Sequence, residues 1–144
     1  LFKQKEITKY YIALCEGNPK NNYSQVNLEI KNKKLKIENT LTNYKLVNNN
    51  RGISSILFNP QTGKTHQLRI VSKNLGCPIV GDNKYNIHSK YKKESLMLHA
   101  FALKFSINSK KFEYISKLPD HFLSFVKKNN LNISKDLKEY LNSF

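Results

Sequence analysis

The sequence is short of acids. Asp and Glu number ten against twenty-five Lys and Arg in 144 residues, giving a formal charge of +15 and a pI near 9.8. That excess makes a polyanion the natural partner, the plain alternative being a basic surface that serves only solubility. Cysteine is scarce as well. Cys15 and Cys77 lie far apart in the chain, with no second Cys or His at the spacing of a metal site. They read as reduced, small apolar residues of a cytoplasmic protein. His66, His88, His99 and His121 are equally scattered, so no metal is expected. No long apolar run, signal-peptide pattern or basic amphipathic helix is visible, which argues against a membrane partner.

Arginine is nearly missing. Arg51 and Arg69 are the only two, in a chain otherwise drifted towards Lys and Asn. Under such drift, a surviving arginine marks a need that only a planar, two-pronged guanidinium meets, which directs attention to Arg69. A second glycine is also absent where one would matter. The GKT core of TGKTHQLRI, residues 62–70, would be a nucleotide-binding loop only with glycine five positions before Gly63, where Phe58 stands. Asn59-Pro60-Gln61 cannot supply the missing backbone freedom, and that reading is rejected.

What is present is one domain's worth of chain, 39% hydrophobic and 11% aromatic, enough to bury a core. Ile7, Lys9, Tyr11, Ala13 and Cys15 alternate with Tyr10, Ile12 and Leu14, the mark of a strand ended by Gly17-Asn18-Pro19. Further strands are expected over 25–30, 34–38, 44–47 and 53–58, with turns between them such as Asn48-Asn49-Asn50. Then the period changes. Leu68, Val71 and Leu75 fall at helical spacing, predicting a helix over 65–75 capped by Thr65 and closed by Gly76. Its other face carries His66, Arg69 and Lys73. Strands are expected over 96–107 and 111–116, a helix from Pro119-Asp120, and a last helix capped by Ser134. The predicted class is mixed α/β with a largely antiparallel sheet.

Several blocks carry a resemblance. PQTGKTHQLRIVSKNLGCPIVGDNKY is similar to the T-G-R-T-H-Q-[IL]-R, helix, G-x-P-[IL]-x-G-D-x-x-Y block of the RluA-type RNA pseudouridine synthases. KYYIALCEG resembles that family's K-x-Y-x-A-[LV]-x-x-G strand, LMLHAFALKF its L-x-L-H-A-x-x-L-x-F strand, and FEYISKLPDHF its closing segment. The matches keep their order from Thr8 to Phe122 and are far more specific together than one short motif. Lys64 departs from the pattern, standing where the family has arginine, which keeps the charge and loses the fork. The family's H-R-L-D-x-x-T-S-G motif, which holds its catalytic aspartate, has no counterpart here. The expectation is that residues 1–144 are the carboxyl-terminal part of a catalytic domain whose upstream part supplies the aspartate, and that this chain alone is inactive.

The resemblance implies isomerisation of uridine to pseudouridine in RNA, in large-subunit ribosomal RNA, without cofactor or metal. It implies that Arg69 partners the catalytic carboxylate, that Tyr11 stacks on the target base and takes part in proton transfer, and that Leu98 walls the pocket. Lys64, Thr65, His66, Gln67, Lys73 and Lys84 are expected to contact a single-stranded or loop RNA. Asp82 reads as structural, ordering its loop through backbone bonds. The alternative from another class is a non-catalytic RNA-binding or assembly module.

Overall fold

The computed structural model describes residues 7–144. Six strands, β1 (Thr8–Glu16), β2 (Tyr23–Lys31), β3 (Ile37–Asn50), β4 (Ile53–Pro60), β5 (Leu98–Ile107) and β6 (Lys110–Ile115), form one sheet in the order β2-β3-β4-β1-β5-β6. Every pairing is antiparallel. Two helices, α1 (Gln67–Asn74) and α2 (Asp120–Lys128), and a closing 3-10 helix, Leu137–Ser143, complete the described residues. The mixed class and antiparallel sheet expected from the sequence are found.

Central β4 shows where the core lies. Its residues Ile53 to Asn59 are all buried, and because neighbouring side chains point to opposite faces, both sides of the sheet are covered there. Phe58 sits opposite Tyr11 on one side and Tyr44 on the other. Leu68 and Val71 of α1 and Phe122 and Phe125 of α2 join the same core. Burying such side chains contributes roughly 1.5–3 kcal/mol each.

Four expectations need correction. Of the segment 34–38 only Ile37 and Glu38 are strand, the rest being the turn from β2, and they run on through 44–47 as one strand, β3, because the polar stretch between is satisfied across strands. Buried Thr40 donates to the Leu28 carbonyl at 2.7 Å, and Asn43 sits between Gln25 and Asn59. Asn48 to Asn50 also lie in β3, and the turn falls at Arg51-Gly52, both with positive φ (52° and 81°), the geometry of a two-residue hairpin loop. The helix expected from Thr65 begins two residues later, since His66 adopts a left-handed φ of 57° that no helix accommodates. Ser134 does not cap the last helix. Asp136 caps the short 3-10 turn, its carboxylate accepting from the Lys138 amide.

Candidate active site

The site is built where β4 gives way to α1. After Pro60 the chain crosses to α1 through a loop pinned on β3 by its own polar residues. The Gln61 amide donates to the Leu41 carbonyl at 2.8 Å, and the Leu41 amide donates to Thr62 Oγ1 at 3.0 Å. Gln67, 4% exposed, completes the clamp. Its Oε1 accepts from Thr62 Oγ1 and the Lys64 amide, and its Nε2 donates to Thr42 Oγ1 at 2.9 Å. With those bonds made inside the protein, the loop is held without a helix cap.

The loop forms one wall of a cleft of about 640 Å³, within the size range of small-ligand sites. Tyr11 from β1, Leu98 from the start of β5 and Arg69 from α1 all line it, together with Lys64 and His66. The three residues assigned by resemblance to the catalytic pocket thus meet in one cavity. Tyr11 is half-buried, and burial pushes its phenol above the ordinary 10.0, so it stays protonated at neutral pH. None of the described residues lining the cleft is acidic.

Arg69 has a partner the sequence did not disclose. Asp82, its side chain fully buried, takes the guanidinium two-pronged: Nε donates to Oδ2 at 2.9 Å and Nη2 to Oδ1 at 2.6 Å. The need for a planar fork, inferred from arginine's rarity, is met here. Asp82 also accepts from the backbone amides of Lys84 and Tyr85, both at 3.0 Å, which is the loop-ordering role expected of it. Burial alone would raise its pKa, but the Arg69 hydrogen bond and then the Tyr85 and Lys84 amides outweigh that and hold the carboxyl below its ordinary 3.8. Asp82 does not line the cleft. Arg69 stands between the two, with three of its five N–H donors not engaged by Asp82.

Tyr85 steadies the arrangement from above. The Arg69 guanidinium lies 5.2 Å from its ring centroid, Lys84 Nζ 5.4 Å, and His66 meets the ring edge-on with Nδ1 3.2 Å from the hydroxyl. Burial first, then the charges of Arg69 and Lys84, lower the His66 pKa below 6.5. For the Asp82 and Tyr85 side of this cluster, the sequence signal is their spacing in GDNKY. Of the residues expected to touch RNA, Lys64, His66 and Gln67 line the cleft, while Thr65, Lys73 and Lys84 are exposed outside its lining. Lys64 Nζ also pairs with Glu38 at 3.1 Å.

Two groups elsewhere bear on earlier expectations. Cys15 and Cys77 are free, as expected, yet they are buried side by side and share a hydrogen bond despite their separation in sequence. Burial pushes the Cys15 thiol well up, leaving it inert. No group of three or more metal-ligating side chains occurs among the described residues.

Comparison with known proteins places this geometry. The profile of the family described as RNA pseudouridylate synthase matches residues 1–74. Ribosomal large subunit pseudouridine synthase D of Borreliella burgdorferi is 33% identical over 151 aligned residues, covering 94% of this chain and 46% of that protein. Ribosomal large subunit pseudouridine synthase C of Rickettsia felis is 36% identical over 140, covering 84% and 45%. In structure, human RNA pseudouridylate synthase domain containing 4 superposes with a TM-score of 0.79 at 22% identity, covering 90% of this chain and 64% of that one. Its domain-containing 1 counterpart also gives 0.79, at 24% identity over 99% and 67%, and both likenesses speak to the fold. The chain spans about half the length of the curated relatives it matches. On this evidence the chain belongs to the RNA pseudouridylate synthase family, in its RluA-type branch.

Proposed function

We propose that the protein carrying this chain isomerises uridine to pseudouridine in large-subunit ribosomal RNA, and that this chain supplies the arginine, tyrosine and aliphatic side of the pocket. The nucleophilic aspartate then comes from polypeptide upstream of Leu1. The reaction breaks the bond from ribose C1′ to uracil N1, turns the base, and joins C1′ to C5. The proton lost from C5 is balanced by one gained at N1. An aspartate starting this chemistry in a dry pocket stays ionised only beside a cation with hydrogen bonds to give, and Arg69 has three N–H donors beyond those Asp82 takes. Tyr11 offers a ring to the flipped base and a hydroxyl for proton transfer, and Leu98 closes the apolar side. A stacked uridine is out of reach, so a single-stranded or loop target costs least to flip.

The observation that carries this reading is the convergence of Tyr11, Leu98 and Arg69 on one cleft lined by no acid among the described residues. Asp82 is unsuited to the nucleophile's place, being fully buried and bonded to Arg69 and two amides. The test compares this chain with the full gene product on ribosomal RNA. The chain alone is expected to bind loop RNA with strong salt dependence and to form no pseudouridine, while the full product forms it. Pseudouridine made by the chain alone, or an inert full product, contradicts the proposal.

A further inference from the structure

The β2–β3 hairpin forms one edge of the sheet, and its tip has a composition that packing does not explain. Residues 31–36 read Lys-Asn-Lys-Lys-Leu-Lys, with all four lysines exposed and no acid among them. None of those lysines has an ion-pair partner among the described residues. Leu35 is 77% exposed, and Ile37 just after it 62%. The tip is nonetheless ordered: Asn32 Oδ1 accepts from the Lys34 and Lys36 amides at 2.8 and 3.1 Å. Leu35 is held at φ 62°, a left-handed conformation that costs a side-chain-bearing residue about 1–2 kcal/mol. A strained, exposed leucine among unpaired cations is a poor choice for stability alone.

Its position gives it a use. Glu38, on β3 two residues beyond Lys36, bonds Lys64 on the cleft wall, which ties the base of the tip to the cleft's rim. The charge of Lys33 reaches His66, which lines the cleft. Resting on the reading of RNA as substrate, we infer that the hairpin tip is a second RNA-contact surface, its lysines holding backbone phosphates beside the cleft mouth and Leu35 lying against a sugar or base. Phosphate contacts of this kind fix register without reading sequence, and an apolar side chain among them shields the contact from water.

The test measures binding of this 144-residue chain to a uridine-rich single-stranded RNA oligonucleotide across a salt series. Three proteins are compared: the natural chain, a Lys33→Ser/Lys34→Ser/Lys36→Ser variant, and a control Lys90→Ser/Lys92→Ser/Lys93→Ser variant with the same charge loss at exposed lysines elsewhere. Each phosphate contact contributes about 0.7 to the slope of log affinity against log salt for single strands, so the hairpin variant is expected to lose about 2 from the slope. The control variant keeps its slope, and Leu35→Ser weakens binding severalfold with the slope unchanged. A natural chain that binds with salt dependence while the hairpin variant matches the control overturns this inference alone. A natural chain that shows no salt-dependent binding overturns the RNA reading and the inference together.

Discussion

Replacing Arg69 with methionine isolates what holds the cleft's arginine wall. The substitution keeps the packing of the stem and removes the cation, leaving the Asp82 carboxylate buried with only the Lys84 and Tyr85 amides. The pair is well shielded, at 18% side-chain exposure for Arg69 and none for Asp82. Losing one member of such a pair costs about 3–5 kcal/mol, because the remaining charge is uncompensated. For a chain near this length that lowers the melting temperature by roughly 10 °C. The carboxyl of Asp82 sits below its ordinary 3.8 in the natural chain, so the pair's stabilisation is present above that pH and is lost as pH falls through the depressed value. In Arg69→Met the carboxyl rises and takes up a proton sooner, so the gap between variant and natural chain narrows as pH drops. Adding Asp82→Asn, which keeps an acceptor for the two amides and removes the charge, is expected to recover more than half of the loss at pH 7. Urea denaturation of all three proteins from pH 7 to pH 3 measures this. A loss under about 1 kcal/mol, or one indifferent to pH and not relieved by Asp82→Asn, refutes the assignment of Asp82 as Arg69's anchor.

Further outcomes follow from the same geometry. Gly81 has φ +82°, and a methyl there would lie 2.1 Å from the Ser95 carbonyl oxygen, whereas Gly52 has φ +81° with nothing within 4 Å. Gly81→Ala is therefore expected to unfold the loop that carries Asp82 or cost several-fold more than Gly52→Ala, whose cost is the roughly 1 kcal/mol of the left-handed backbone. Denaturation midpoints of the two variants decide it, and equal midpoints count against the close approach. His66 is expected to titrate below 6.5 by NMR, since burial and then Arg69 and Lys84 favour its neutral form. Between that lowered value and 6.5 the unfolded chain binds the extra proton, so stability falls as pH drops through this window. A His66 titration at or above 6.5 counts against the cationic surroundings described.

How much of this was legible in the sequence depends on what each element rests on. β1 and β5 announce themselves through alternation, and the expected faces of Tyr10 and Tyr11 are those found: Tyr10 packs on Phe101, while Tyr11 looks into the cleft. The sequence reads β3 as two strands because Asn39 to Asn43 looks like polar punctuation. The side chains of Thr40 and Asn43 are satisfied by neighbouring strands and that of Thr42 by Gln67 of α1, and no hydrophobic pattern records such partners. Thr65 has the chemistry of a cap and predicts too early a start for α1, because the loop is held instead by Gln67, whose partners lie 25 and 26 residues away in β3. Arg69 was singled out by its rarity and its motif, and its bidentate use is found. That its fork closes on Asp82 was hidden, since thirteen residues and a chain reversal separate them. The exposed hairpin tip left no family signal, and its residues Lys34 to Lys36 fall in a segment that the sequence reads as strand rather than turn.

In the proposed function, Arg69 and Tyr11 form one side of the pocket in which uridine is isomerised. Its most direct measurement is single-turnover pseudouridine formation on ribosomal RNA by the full gene product and by its Arg69→Lys variant, with folding of both checked by circular dichroism. Lysine keeps the charge but can give neither the fork to Asp82 nor the remaining donors to a second carboxylate. The account predicts a folded variant that binds RNA and whose rate of isomerisation falls at least a hundredfold, on the order of the loss when one preorganised charge-stabilising donor is removed. A folded Arg69→Lys protein turning over at the natural rate would contradict it.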